Sequence, residues 1–128
     1  KAACLDPAEA IAARVKAEHP EVPVILFPKG VGPAASSFAR LKDCNVIGID
    51  HGHPWGDARA TLSPHATVQG GLDPMLVVAG GARMEEEARR LLRTFEGAPY
   101  IFNLGHGLTP DTPPENVARL VEIVRSGG

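Results

Sequence analysis

The apolar residues of this chain alternate between two kinds of spacing. Short runs of consecutive apolar residues resemble the buried strands of a parallel sheet. The intervening stretches repeat apolar residues every three or four positions, which is typical of amphipathic helices. The predicted strands are residues 24–27, 46–49, 66–69 and 100–103. The predicted helices are residues 34–42, 56–62 and 83–96, with one more near each end of the chain.

Capping signals mark the start of the two terminal helices. Asp6 precedes Pro7 and is a suitable N-cap for the first helix, because proline fits the first helical position. Thr112 and Glu115 have the spacing of a capping box and predict the start of the last helix. Residues 70–74, by contrast, are predicted to form a turn-rich loop.

The alternation of helices and strands predicts an α/β fold with a parallel sheet and right-handed crossovers. Four strands suit either a small open sheet or half of an eight-stranded barrel, and the pattern alone does not choose between them. Half a barrel would leave two open strand edges that need cover. No linker or internal repeat divides the sequence, so residues 1–128 are predicted to form a single domain.

Composition narrows the class of protein. Apolar residues make up 44% and charged residues 22% of the chain, and the net charge is -2. This balance is that of a globular protein and argues against a nucleic-acid partner. No apolar run approaches the roughly 18 residues that cross a bilayer. Cys4 and Cys44 fit a reduced cytosolic protein, and a start at Lys1 suggests a piece of a longer chain.

Polar side chains follow each predicted strand. In parallel α/β folds the functional groups gather at the carboxyl ends of the strands, so we expect a site at this edge. The candidate residues are Lys29, Asp50, Gln69, Asn103 and His106.

The loop after the last strand is the most informative of these segments. Gly105 and Gly107 flank His106 and allow tight turns and close approach to a ligand. His106 can donate or accept a hydrogen bond near neutral pH. The alternative is a structural histidine that satisfies backbone carbonyls in a packed loop.

A dinucleotide site is a competing hypothesis. Gly30 and Gly32 follow a strand with Ala35 at the third fingerprint position, and Asp50 lies 20 residues after Gly30. A pyrophosphate would then sit on the helix N-terminus and a ribose on Asp50. Pro33 argues against this reading, because it removes a backbone donor where a phosphate would need one.

A metal site is a weaker alternative. His51 and His53 can share one side of an extended segment, and Cys44 is a further ligand type. Cys44 precedes its strand, however, so it should lie at the opposite end of the sheet from His51. We therefore predict no metal site.

Four segments resemble one known family when they are read together. Residues 100–117 are similar to the C-terminal signature of the uroporphyrinogen decarboxylases, around Asn-Leu-Gly-His-Gly. Residues 68–74 resemble the family's Leu-Gln-Gly-Asn-Leu-Asp-Pro, and residues 22–30 its Pro-Val-Ile-x-Phe-x-Lys-Gly. Residues 46–50 resemble its Gly-Leu-Asp-Trp strand, and the likeness runs in register over about residues 6–125.

This resemblance implies an architecture and an activity. The chain would be the C-terminal half of a (β/α)8 TIM-type barrel, a single partial domain over residues 1–128. The family removes the carboxyl groups of four acetate side chains of uroporphyrinogen, giving coproporphyrinogen in porphyrin and haem biosynthesis. The resemblance implies a cytoplasmic homodimer whose ligand is this tetrapyrrole. It implies no metal or organic cofactor, while charge and hydropathy predict no nucleic-acid or membrane partner.

The resemblance also assigns roles to residues. His106 matches the family's active-site histidine, which is expected to hydrogen-bond a substrate carboxylate. The family's catalytic Asp, Arg pair, Tyr and Ser lie upstream of the matched segments, which implies that residues 1–128 alone are inactive. The candidate substrate-binding residues are His106, Gly105, Gly107, Asn103, Gln69, Asp50 and Lys29.

Two departures and one further alternative accompany the match. His51 stands where the family usually has Trp, and Gly71 where it usually has Asn. Methyltransferases of the same superfamily are the alternative enzymes, and they hold zinc on a His-x-Cys pair with a later Cys. Neither Cys4 nor Cys44 belongs to such a pair.

Overall fold

Four parallel strands lie side by side in the order in which they follow along the chain. The structure is a computed structural model that describes residues 3–127. Each crossover leads to the neighbouring strand, as in consecutive units of a (β/α)8 barrel, and no reversal of strand order interrupts the series. The α/β fold with four parallel strands alternating with helices is therefore confirmed. The strands are β1 (Ile25–Leu26), β2 (Val46–Ile49), β3 (Thr67–Gly70) and β4 (Tyr100–Ile101).

Helices fill the connections between the strands and flank them at both ends. A short 3₁₀ turn, Gly32–Ala34, precedes the second helix. Within residues 3–127 no helix is both long enough and apolar enough to cross a membrane. The helices are α1 (Leu5–Glu18), α2 (Ala35–Ala39), α3 (Trp55–Thr61), α4 (Pro74–Ala79), α5 (Gly81–Thr94) and α6 (Pro114–Arg125).

The predicted N-caps of both terminal helices are wrong. Helix α1 begins at Leu5, so Asp6 lies inside the first turn, where its carboxylate faces the positive end of the helix dipole. Helix α6 begins at Pro114, whose fixed φ suits the first helical position, and Pro113 occupies the N-cap. The Thr112 hydroxyl instead lies 3.4 Å from the Thr109 hydroxyl.

Helix α4 begins at the last residue of the predicted turn-rich loop and covers residues for which no element was predicted. The Asp73 carboxylate accepts a hydrogen bond of 2.9 Å from the Met75 N–H, and Pro74 follows as the first helical residue. Gly80, with φ of +65°, ends the helix and separates it from α5. The Asp-Pro pair at the end of the predicted turn is thus a helix start that was not predicted.

The sheet has two faces of different character. One face packs under the helices, and its Ile47 and Val68 are fully buried. On the opposite face, which we call the open face, Ile25 and Phe27 of the first strand segment are about half exposed, and Ile101 is similar. This alternation follows from the period of two along a strand. The buried core therefore lies between the sheet and the helices.

Candidate functional site

A loop after β4 is fixed against the segment that follows β3. Leu72 and Leu104 form a parallel bridge beyond the ends of these strands. The Gly105 N–H donates to the Leu72 carbonyl at 2.8 Å, and the Leu72 N–H donates to the Asn103 carbonyl at 3.4 Å. The Asn103 side-chain carbonyl accepts the Leu104 N–H at 2.8 Å. These backbone contacts determine where the predicted site residues of this loop lie.

Gly105 is the point at which this loop touches the end of β2. It is buried, and a Cβ atom there would collide with the backbone of His51 and Asp50. Only glycine permits such a close approach of two backbones. We infer that Gly105 positions the loop through this contact.

Polar residues from two strand ends line one cavity on the open face of the sheet. Its volume is about 250 Å³. We call it the rim cavity. His106 is exposed beside it, so its imidazole is accessible to a ligand. The rim cavity brings together four of the predicted site residues, which are Gln69, Asn103, His106 and Gly107.

Phe27 and Gly48 also line the rim cavity, although neither was predicted as a site residue. Both were assigned to predicted strands, where an apolar or small residue has a structural explanation. The period-two alternation places them on the same face as Gln69, which was the one available signal.

Asp50 does not line the rim cavity, because its carboxylate joins two loops. One carboxylate oxygen accepts the Gly30 N–H at 2.8 Å, and the other accepts the Gly52 N–H at 2.9 Å. The hydrogen bond from Gly30 is the main reason that the pKa of Asp50 lies below its ordinary value. The nearby His51 and His53 contribute in the same direction.

Lys29 is likewise outside the rim cavity. It is exposed and lines a groove at the free edge of β1, together with Leu26 and Val31. The structure therefore divides the predicted binding residues into a group at the rim cavity and a group on neighbouring loops. For Lys29 and Asp50, a direct contact with substrate stays a prediction.

The geometry disfavours a dinucleotide site. The Gly30 N–H, which would have to face a phosphate, already donates to the carboxylate of Asp50. The same hydrogen bond occupies the Asp50 carboxylate, which the dinucleotide hypothesis assigns to the ribose. Helix α2 has only five residues and follows a 3₁₀ turn that contains Pro33, so it offers little of the dipole on which phosphate binding depends.

The candidate metal ligands Cys44 and His53 also lie apart from each other, and each already has another hydrogen-bond partner. The Cys44 thiol donates to the Val46 carbonyl at 3.4 Å, at the amino end of β2, and burial raises its pKa. His53 is buried, and its Nε2 lies 3.1 Å from the Asp57 carboxylate. Among residues 3–127, no three His, Cys, Asp or Glu side chains are grouped closely enough to hold a metal ion.

A second cavity, of about 730 Å³, lies between α3 and α5. His51 and Gly71, the two departures from the family pattern, both line it and are absent from the lining of the rim cavity. The Trp55 indole N–H donates to the Gly71 carbonyl at 3.0 Å, and the Arg90 guanidinium lies 4.4 Å from the centre of the Trp55 ring. His51 and Gly71 therefore alter the lining of this second cavity and not that of the rim cavity.

Consecutive parallel β/α units with polar residues at the carboxyl ends of the strands define the class of (β/α)-barrel proteins. The chain belongs to the uroporphyrinogen decarboxylase family, whose model, "Uroporphyrinogen decarboxylase (URO-D)", matches residues 1–127.

Named relatives agree with the family match. The uroporphyrinogen decarboxylase of Rhodospirillum rubrum is 47% identical over 122 residues, which are 95% of this chain and 35% of the relative. The uroporphyrinogen decarboxylase of Paracoccus denitrificans is 44% identical, over 94% of this chain and 35% of the relative. That of Gluconacetobacter diazotrophicus is 44% identical, over 93% and 34%. The chain thus spans about a third of the length of these curated relatives.

Proposed function

We propose that this chain forms the C-terminal third of a uroporphyrinogen decarboxylase, which converts uroporphyrinogen to coproporphyrinogen by removing the carboxyl groups of four acetate side chains. Residues 1–128 would be one partial domain, the last four units of a (β/α)8 barrel. The observation that carries the proposal is the rim cavity, where Gln69, Asn103, His106 and Gly107 meet at the carboxyl ends of parallel strands.

The proposed role of His106 is to bind a carboxylate of the substrate. A protonated imidazole gives a charge-assisted hydrogen bond to a carboxylate, which is about twice as strong as a neutral one. Asn103 and Gln69 add amide donors on the same cavity wall. Gly105 would place His106 by its contact with the end of β2, and Asp50 would fix the adjoining loops.

The chemistry can proceed on the substrate's own ring. Protonation of a pyrrole carbon makes the ring an electron sink, and the electrons released with carbon dioxide flow into it. The proposal therefore includes no metal or organic cofactor. A carboxylate near the pyrrole nitrogens would stabilise the cationic intermediate. We assign this carboxylate to the catalytic Asp that the family places upstream of the matched segments, and we expect residues 1–128 alone to be inactive.

A chimaera tests this function. The chain would replace the matching third of the Rhodospirillum rubrum relative, to which it is 47% identical. We expect the purified chimaera to form coproporphyrinogen, and the 128-residue chain alone to form none. A folded but inactive chimaera would contradict the proposed function.

We also propose that the complete enzyme is a cytoplasmic homodimer without nucleic-acid or membrane partners. The family resemblance supports this state. Sedimentation equilibrium of the chimaera would give the mass of two subunits if it is correct, and the mass of one if it is not.

A further inference from the structure

Phe27 lies directly over Gly48 on the open face of the sheet. A Cβ atom at Gly48 would be 2.9 Å from Cδ2 and 3.3 Å from Cγ of the Phe27 ring. Gly48 does not have a positive φ, so its backbone conformation does not require glycine. Space for the ring is thus the reason that a larger residue does not fit at this position.

The Phe27 ring lies on the open face, which would line the interior of the complete barrel proposed above. Within the described residues the ring is accessible, with Phe27 48% exposed. It lines the rim cavity together with the polar groups of Gln69, Asn103 and His106. The rim cavity therefore combines an apolar floor with a polar wall.

A tetrapyrrole has the matching distribution of polarity. Its pyrrole rings are flat and apolar, and its carboxylates project from the periphery. When a carboxylate binds near His106, the ring that bears it would come to lie over the floor of the rim cavity. Aromatic rings favour stacked or edge-to-face contacts with such a ring.

We propose that Phe27, seated on Gly48, binds a pyrrole ring of the substrate and so helps to determine which tetrapyrroles the enzyme accepts. This inference rests on the proposed function and names the contact made by the apolar part of the substrate. Gly48 acts through Phe27 and is a positioning residue.

The test uses the chimaera with Phe27→Leu, Gly48→Ala and both together. Phe27→Leu should raise KM about three- to tenfold with kcat nearly unchanged, because an aromatic contact of ordinary strength is lost. Gly48→Ala should also raise KM by displacing the ring. In a protein that already carries Phe27→Leu, the effect of Gly48→Ala should be smaller, because coupled residues are not additive.

Two further variants separate contact from general damage. Phe27→Tyr keeps the aromatic face and should retain most of the affinity. Ile25→Leu alters the same face of the sheet one step from the rim cavity, which it does not line, and should leave KM unchanged. Circular dichroism would verify that each variant is folded.

Binding of coproporphyrin, followed by its fluorescence, distinguishes failure of the inference from failure of the proposed function. Normal KM and normal coproporphyrin affinity in the Phe27→Leu chimaera would overturn the inference alone. If the chimaera is inactive but binds coproporphyrin, weaker binding by Phe27→Leu supports the contact and unchanged binding refutes it. A folded chimaera that neither reacts nor binds would overturn both.

Discussion

The carboxylate of Asp50 holds the backbone N–H of Gly30 at 2.8 Å and thereby ties the loop after β1 to the end of β2. A second bond, from the Gly52 N–H at 2.9 Å, fixes the carboxylate from the other side. Because these donors favour the ionised form, they stabilise the fold only while Asp50 is charged.

Stability should therefore depend on pH through Asp50. The folded pKa is lowered, so the contribution is present above the unfolded value, which is 3.8, and is lost as the pH falls through the lower folded value. Asp50→Ala should cost about 1–2 kcal/mol at pH 7, and this difference from the parent should vanish in strong acid. Urea unfolding at several pH values measures it.

Asp43→Ala is the matched control, since Asp43 precedes β2 in a loop and is also partly exposed. It should change the free energy of unfolding little at any pH. An equal loss from Asp43→Ala and Asp50→Ala would contradict the role assigned to the bonds of Asp50.

Substitution by alanine should destabilise the protein at Gly105 and have little effect on stability at Gly107, although both glycines belong to one loop. Gly105→Ala places a Cβ against the His51 backbone, whereas a Cβ at Gly107 meets no atom within 4 Å outside the adjacent residues of the chain. We expect Gly105→Ala to cost about 1–3 kcal/mol in stability, as overpacking does, and to displace His106 so that the chimaera loses activity. Thermal unfolding of both variants and turnover of Gly105→Ala would test this, and equal stability of the two variants would refute it.

The ionisation of Tyr100 at alkaline pH tests whether its side chain is packed in the core. Its hydroxyl donates to the Gly70 carbonyl at 2.7 Å, and its ring stacks on Phe95 with centroids 4.3 Å apart. Burial raises the pKa of Tyr100 above its ordinary value of 10, so its stabilising contribution is present below pH 10 and is lost as the pH rises toward the folded value.

Tyr100 is the one tyrosine of the chain, so the absorbance of tyrosinate reports it alone. The phenol should stay protonated beyond pH 10 and ionise together with the loss of far-ultraviolet circular dichroism. Ionisation near pH 10 with the circular dichroism intact would show that the ring is not buried in this way.

Gly71 is expected to control the environment of Trp55. Its φ is +107°, and a Cβ there would be 3.0 Å from Ile49 Cδ1 and 3.1 Å from the Trp55 indole nitrogen. Gly71→Ala should therefore move the indole and shift its fluorescence toward that of a solvated tryptophan. Gly56→Ala, where the added carbon meets no atom within 4 Å outside the adjacent residues and its own helix backbone, should leave the emission unchanged.

The sequence predicted the four strands and their parallel direction, because period and element alternation are local signals, although β1 and β4 are shorter than predicted. It did not anticipate helix α4, whose start at Asp73 and Pro74 was assigned to a turn-rich loop. Nor did it place the caps, because Pro114 begins α6 where Thr112 had the better capping chemistry. Such choices depend on neighbouring chain segments as much as on propensity.

The candidate site was predictable in part. Gln69, Asn103 and His106 meet because strand ends of a parallel sheet share one edge. The turning of Asp50 away from the rim cavity toward Gly30 could not be read from spacing, since it depends on the fold of the intervening loop. Phe27 was missed because exposure on the open face is a tertiary property.

The decisive comparison is between His106→Leu and His65→Leu in the chimaera. His65 is also exposed, but it lies before β3, at the opposite end of the sheet from the rim cavity. Loss of a hydrogen bond to a charged group should lower kcat/KM of His106→Leu by about ten- to a hundredfold, while His65→Leu keeps parental activity. Equal formation of coproporphyrinogen by the two folded variants would contradict the claim that His106 holds the substrate.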